Sequence, residues 1–543
     1  MSRTSVSRFG RYCRTAVAVV GASAILAGCA SSNDGAGDNA AEVPAGFQTG
    51  MVNVQPAPGQ AVDGGTLTYG VQLLAASLDP TKTAARGGSG GEALAAVYDV
   101  LMSYDTDTNT YEPKLAKSLA ANADSTVWTL TLRDNVNFSD GTPVDAAAVV
   151  ASIDRYNQGR GNGSDLWLKS VAAAEPAADG ASVVFTMTAP WQRFPSMLAL
   201  GHGMIVAPAS QQGEAFTAIG AGPFTEGKFA PNEERIFTAN PDYYAGKPHL
   251  DTLRMVALNG PQANLESLQS GQLDVAYIRG LSEAIDAAKA DGYPGYISVL
   301  NAGGAEIINN REGRPGSDVR VRQAIGHSLD TELIDQRAEN GGGLPGSELF
   351  GPTSQWHTDT PGIAYDPEKA KELLAAAVAD GYNGELNYVV LNEPKDHAIG
   401  LAVQSLLQAV GFKVNVVLAN NAGDILQNVY VKKDFDLAHA GLGMYESIID
   451  LSLDSTTNST SLGNTGGYAN PEMDQLIADL QATQDDDAAR AVIAKIQALW
   501  NETVPSAPIS GLPSFWAWQK NVHGVTPTAT GIMLFDQAWL DAN

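Results

Sequence analysis

A serine between glycines, Gly87-Gly88-Ser89-Gly90-Gly91, has the spacing of a nucleophile elbow, the strained turn that lifts a serine hydroxyl toward a base and an acid. An elbow needs a strand before it, and Ala84-Ala85-Arg86 is a poor one, so a glycine-rich loop ahead of a helix at Glu92 accounts for the same residues. Gly341-x-Gly343-x-x-Gly346 has the spacing of a dinucleotide turn, yet Pro345 lies inside it and the preceding segment reads as helix rather than strand. The seven histidines, His202, His249, His327, His357, His397, His439 and His523, are scattered, without H-E-x-x-H or paired zinc spacing. Asp485-Asp486-Asp487 lacks the alternating ligands of a calcium loop and reads as a solvated helix start. No nucleophile, base and acid converge, so the pattern points to a binder rather than an enzyme, with no cofactor and no metal.

Binding depends on which loops the fold brings together. From Gly384 to Leu442 strands and helices alternate: GELNYVVLN, a helix through Ile399, Val403, Leu406 and Leu407 stopped by Gly411, then FKVNVVLA, a short helix near Ile425 to Val431, and FDLAHAGL. Such interleaving predicts parallel β-α-β units and an α/β lobe. Ligands of open α/β sheets lie beyond the carboxyl ends of the parallel strands. Two loops meet that condition, Asn392-Glu393 after Leu391, and Gly441 to Glu446, which includes Tyr445. Trp516 and Trp518 lie on one side of Phe515-Trp516-Ala517-Trp518 if it is extended, either as an aromatic wall for a planar ligand or as core. Arg311, after Ile307-Ile308, suits a ligand carboxylate or an exposed loop. Trp191 reads as cover for a core and Trp356-His357 as a surface turn.

The N-terminus carries Arg3, Arg8, Arg11 and Arg14, an apolar run from about Ala16 to Leu26, and Leu26-Ala27-Gly28-Cys29. The run is short for a membrane span and fits a signal peptide over residues 1–28. Leu-Ala-Gly-Cys resembles a bacterial lipobox, which makes Cys29 the lipidated first mature residue. Cys13 is the only other cysteine and leaves with the signal, so no structural disulfide is expected. Without residues 1–28 the chain holds 29 Lys+Arg against 60 Asp+Glu, a net charge of −31 that disfavours nucleic acid. Residues 29–62, rich in Ser, Gly, Ala, Asn and Pro, read as a flexible tether, with a first strand at Thr66-Leu67-Thr68-Tyr69. Asp366-Pro367 and Asn470-Pro471 each pair an N-cap with proline at the first helical position.

The most informative stretch is Trp128 to Arg155. Trp128, Leu130 and Leu132 alternate with Thr129 and Thr131, as Val136 and Phe138 do with their neighbours, which predicts a half-buried strand. Asp140-Gly141 turns the chain, and Thr142, Pro143 and Asp145 suit the cap, first position and capping-box acid of a helix with Val149, Val150 and Ile153 on its apolar face. The word order W-x-L-x-L-R-x-x-V-x-F-x-D-G-x-P resembles a signature of extracellular solute-binding proteins of the dipeptide, oligopeptide and nickel class of ABC importers. Further matches follow in order: Gly220-Ala221-Gly222-Pro223-Phe224, Asn240-Pro241-Asp242-Tyr243-Tyr244, Leu268 to Asp274, Asp318 to Ile325, and Gly467 to Asp474.

The resemblance implies an α/β, two-lobe periplasmic-binding-protein-like fold with a hinge. The N-terminal lobe would span 63–300, with an extra subdomain at 96–224 and completion by 512–543, and the C-terminal lobe 301–511. It implies a lipid-anchored monomer outside the cell that captures a di- or oligopeptide and hands it to ABC permease and ATPase subunits. In peptide-binding relatives the loop at 441–446 carries an Asp that pairs with the ligand ammonium. This chain has none there, and Glu446 either replaces it or is an ordinary loop carboxylate, which keeps a non-peptide solute open. Because some relatives carry metal chelates or haem, His202 in Leu200-Gly201-His202-Gly203 is a further pocket candidate.

Overall fold

The computed structural model describes residues 47–541. The signal segment 1–28, Cys29 and the first part of the tether lie outside the described residues. Eleven strands form one sheet, in the order Phe224–Ala230, Glu234–Ala239, Thr252–Ala257, Thr66–Val71, Val275–Arg279, Ser506–Trp518, Gly295–Ile308, Leu437–Ala440, Glu385–Leu391, Lys413–Ala419, with Gly50–Val52 added on Gly295–Ile308. Two parallel groups stand at either side. Thr66–Val71 pairs in parallel with Thr252–Ala257 and Val275–Arg279. Glu385–Leu391 pairs in parallel with Lys413–Ala419 and Leu437–Ala440.

The two longest strands, Gly295–Ile308 and Ser506–Trp518, run antiparallel to each other and join the groups. Their register shifts twice: Leu300 faces Leu512 but Gly304 faces Ser510, so residues 301–303 bulge against Gly511, and Ala305 then faces Pro508, leaving Ile509 unpaired in the ladder. Ala302 sits there at φ 46°, and a Cβ on Gly303 would lie 2.3 Å from that of Leu512, so only glycine lets the strands approach. Separate hydrophobic cores form on the two sides of the slip. Tyr69, Leu94, Trp128, Phe185 and Trp516 belong to one, Ile325, Tyr388, Leu407 and Trp500 to the other. The expected α/β organisation in two lobes is therefore present, each lobe with its own parallel strands and core.

Within the first lobe, Ala116–Ala121, Val127–Leu132, Ser182–Met187 and Val171–Pro176 make a separate antiparallel sheet. Trp128, Leu130 and Leu132 are buried and the threonines between them half-buried, which is the alternation read from the sequence. The strand stops at Leu132. Val136 and Phe138 are buried in a loop instead, because Asn135 turns the backbone at φ 59°. The helix that follows is Ala146–Gln158, capped by Asp145 accepting from Ala148 N. Thr142 does not cap it: its N–H and hydroxyl both donate to Asp140 in the turn. The caps at Asp366 and Asn470 form as expected.

The tether differs in its last part. Phe47 is 1% exposed in a core of Leu265, Ile285 and Phe515, Gly50–Val52 pairs with Ile297 to Gly295, and Asn53 donates to Lys289 O and Tyr293 O. Phe47 and Val52 supply an apolar anchor that the polar composition around them conceals.

Candidate ligand-binding cleft

The glycine-rich segment 84–91 lies beyond the carboxyl end of Thr66–Val71, on a floor of aromatic side chains. A Cβ on Gly88, at φ 68°, would lie 2.2 Å from the Tyr277 ring, and one on Gly87 would lie 2.1 Å from Gly531 O and 2.9 Å from Trp516. The glycines are thus required by close approach to the floor, and no elbow forms. Trp516 Nε1 donates to Tyr69 Oη at 3.1 Å, Tyr69 Oη donates to Glu92 Oε1 at 3.1 Å, and Gly88 N donates to the same oxygen at 2.8 Å. Glu92 is 1% exposed, and burial pushes its carboxyl up to about 7 although these donors oppose the shift. Gly87 N donates to Thr530 O and Thr530 Oγ1 donates to Ala85 O, each at 3.2 Å, which ties the C-terminal tail to the loop.

The facing loop, 441–447, comes from the second lobe and is fastened to the slip in the long strands. Leu442 N donates to Ala302 O, Met444 N to Asn301 O, and Asn301 Nδ2 to Glu446 Oε1 at 3.1 Å. Glu446 also accepts from Ser354 and from the N–H of Gln355, and its carbonyl accepts from Trp356 Nε1 at 2.9 Å. Burial raises the Glu446 carboxyl above its ordinary range against those donors. From this base the loop reaches the first lobe. Tyr111 Oη donates to Ser447 O, Thr530 N to Ser447 Oγ at 3.2 Å, and the Arg86 guanidinium lies 5.4 Å from the Tyr445 ring centroid. Tyr104, Tyr296, Tyr445, Glu446, Thr528 and Thr530 line a cavity of about 40 Å³ between the lobes, room for little more than water.

Behind this loop, helix Ile449–Thr457 is clasped by the small antiparallel subdomain. Asp450 accepts from Arg193 Nη2 at 3.0 Å and from Trp191 Nε1 at 2.8 Å, Lys169 pairs with Asp454, and Leu462 N donates to Asp165 at 2.9 Å. The helix divides its side chains accordingly: Leu451, with Ile448 before it, joins the first core, whereas Ile449 and Leu453 join the second.

Two α/β lobes around a slipped pair of crossing strands, with a subdomain reaching across, are the architecture implied by the ordered motifs, and residues 110–461 match the family described as bacterial extracellular solute-binding proteins, family 5. The chain belongs to that family. A probable peptide ABC transporter periplasmic-binding protein of Sinorhizobium fredii, y4tO, is 29% identical over 506 residues, covering 84% of this chain and 90% of its own. A probable D,D-dipeptide-binding periplasmic protein of Escherichia coli, DdpA, is 25% identical over 72% of this chain and 77% of its own. The fold is shared with the oligopeptide-binding protein AppA of Bacillus subtilis, solved with a nonapeptide, at TM-score 0.76 and 19% identity, covering 89% of this chain and 100% of the other. Among the described residues no helix is long and apolar enough to cross a membrane, and no cluster of metal-ligating side chains occurs.

The family motifs are mainly packing devices here. A Cβ on Gly220 or Gly222 would collide with the Val97 backbone at 2.2 and 2.5 Å, Asn240 Nδ2 donates to Gly222 O, and Tyr243 and Tyr244 both donate to buried Asp99. Among the candidate ligand residues, Tyr445 and Glu446 line the inter-lobe cavity. Asn392 is exposed at the end of Glu385–Leu391, near Lys395, which donates across to Gly280 O at 2.6 Å. Trp516 and Trp518 do share a face, but at 2% and 3% exposure that face is core. Arg311 is half-buried and donates to Asn309 Oδ1 and to Thr465 O at 2.8 Å, so it fixes a loop of the second lobe. His202 is enclosed in the subdomain, stacked on Trp167 at 4.3 Å and bonded to Asn157 Oδ1, and burial lowers it to about 3. Trp356 is buried at the cleft rather than in a surface turn. Sequence reasoning missed Arg86, Tyr104, Tyr111 and Gln355. They come from three separate segments, Tyr104 and Tyr111 facing each other on one hairpin, and only the glycines after Arg86 signalled an unusual backbone.

Proposed function

We propose that this solute-binding protein is the substrate-binding component of an ABC importer, capturing a di- or oligopeptide between its lobes and passing it intact to a permease driven by ATPase subunits. The observation that carries this reading is the facing loop 441–447, fastened to the strand slip at one end and touching the first lobe at the other. A cleft with room for little more than water admits a peptide only by opening, and the register shift at residues 301–303 and Gly511 supports a hinge there and lobe limits of 300/301 and 511/512. The names of the relatives, peptide-binding components of ABC transporters, support the ligand class. Tyr445, Glu446 and Asn392 are the candidate contacts.

Leu26-Ala27-Gly28-Cys29 supports anchoring by lipid on Cys29, with the protein acting as a monomer on the extracytoplasmic face. The test is titration calorimetry with defined di- to pentapeptides, followed by mass analysis of the recovered peptides. Saturable binding with unchanged peptide masses is expected. Absence of binding, or cleaved peptides, would refute the reading.

A further inference from the structure

Arg86 is a half-buried cation with a ring contact but, among the described residues, no hydrogen-bond or ion-pair partner for its guanidinium. Its Nε is sealed from solvent without a hydrogen-bond partner, and among the described residues no carboxylate or carbonyl lies within reach of its guanidinium. That is unusual in a chain with 60 acidic and 33 basic residues. Arg155, Arg193, Arg235 and Arg320 each reach a carboxylate, and Arg311 and Arg322 reach carbonyls. Arg160 and Arg337, which also have no acceptor, are exposed to water. Even Glu446, next to Tyr445, gives its carboxylate to Asn301, Ser354 and Gln355 and not to Arg86.

The position is as specific as the missing partner. Arg86 O accepts from Ser89 N at 3.2 Å and Gly91 N at 3.0 Å, and Gly87 and Gly88 pack on Gly531 and Tyr277, so the backbone carrying the side chain is held on several sides. The guanidinium faces the Tyr445 ring of the second lobe across the cleft, 5.4 Å from its centroid. A planar guanidinium backed by an aromatic ring from the opposite lobe is suited to a carboxylate taken in two parallel hydrogen bonds.

We propose that Arg86 receives a carboxylate of the bound peptide, so that the protein selects ligands with a free carboxylate over uncharged ones. This rests on the peptide reading above. The carboxylate can be the C-terminus or an acidic side chain, and the probes separate the two: apolar tri- to pentapeptides with a free C-terminus, the same peptides amidated, and amidated versions carrying one internal Glu. Titration calorimetry is run on the wild-type protein and on Arg86→Gln and Arg86→Lys.

Free acids are expected to bind roughly tenfold to a hundredfold more tightly than amides, the span of one charge-assisted hydrogen-bonding group. Arg86→Gln should abolish that preference and Arg86→Lys retain part of it. Recovery of affinity by the internal Glu assigns the site to any carboxylate, and no recovery assigns it to the C-terminus; both support the proposal. Equal binding of acids and amides by the wild type, or a preference that persists in Arg86→Gln, overturns it while the peptide reading stands. No binding by any set overturns both. The acid-to-amide comparison needs no variant, so misfolding of Arg86→Gln leaves the test intact.

Discussion

Replacing Asp450 with Asn tests whether the subdomain clasp belongs to closure or to permanent structure. The Asp450 side chain is 4% exposed and accepts from Arg193 Nη2 at 3.0 Å, Arg193 Nε at 3.1 Å and Trp191 Nε1 at 2.8 Å. Asn keeps the shape and one acceptor but leaves the guanidinium without a counter-charge. Removing one partner of a fully buried ion pair costs about 3–5 kcal/mol. Arg193 is 15% exposed and keeps its bonds to Thr483 Oγ1 and Leu480 O, so the cost here falls to about 1.5–3 kcal/mol, the worth of a charged hydrogen bond. If the lobes part in the ligand-free protein, the contact exists only in the closed state and the whole loss is taken from closure. It then appears as about tenfold to a hundredfold weaker peptide binding, with thermal stability of the ligand-free protein little changed. Calorimetric affinity and thermal unfolding of wild type and Asp450→Asn provide both readings. Unchanged affinity with lowered thermal stability would refute the reasoning, because helix Ile449–Thr457 would then be a fixed part of the first lobe.

Three other substitutions probe the cores and the cleft loop. Because folding holds His202 at about 3, only the unfolded chain binds its proton below the ordinary value near 6.5. Its contribution is complete above that pH and lost as pH falls toward 3, by up to ~1.4 kcal/mol per unit, so urea unfolding of His202→Gln at pH 7.5, 5.5 and 4.5 should show a difference from wild type that shrinks on acidification. Glu92 has the opposite sign: with its carboxyl raised to about 7, the folded chain holds the extra proton, and the contribution present below about 4.5 is lost as pH rises through 7. Glu92→Gln should therefore gain about 3 kcal/mol relative to wild type between pH 4.5 and pH 8 in the same assay, and equal differences at both pH values would refute the assignment. Gly88→Ala places a Cβ 2.2 Å from Tyr277 at φ 68°, and denaturant unfolding should show a loss of about 1–3 kcal/mol.

Local chemistry was the legible part of this chain. The alternation of Trp128, Leu130 and Leu132, the caps at Asp366 and Asn470, and the stop at Gly411, which has φ 114°, are decided within a few residues and appear where the sequence puts them. Thr142 shows the limit, since Thr142 and Asp145, three residues apart, can each cap a helix and the turn acid Asp140 claimed the threonine. The cleft was harder because its parts converge from separate segments. The period of two placed Trp516 and Trp518 on one face correctly, but nothing local says whether that face meets solvent or, as here, Tyr69, Tyr277 and the glycine-rich loop. The loop at Tyr445 and Glu446 was reachable because strand ends obey a topological rule, and the structure puts it on the inter-lobe cavity; Arg86 also lies beyond the carboxyl end of a parallel strand, but its segment reads locally only as a glycine-rich loop, and the partner it lacks shows only in the structure.

Closure on a ligand is the central claim, and one distance tests it. The sequence has no cysteine beyond Cys13 and Cys29, so a soluble chain starting after Cys29 can carry spin labels at Leu168→Cys on the subdomain and Leu401→Cys on the second lobe, positions 63% and 51% exposed. Double electron–electron resonance should give a long, broad label separation in the ligand-free protein and a shorter, narrow one when free-acid peptides are added. A separation that stays the same with and without peptide, while the peptide binds, would contradict the account.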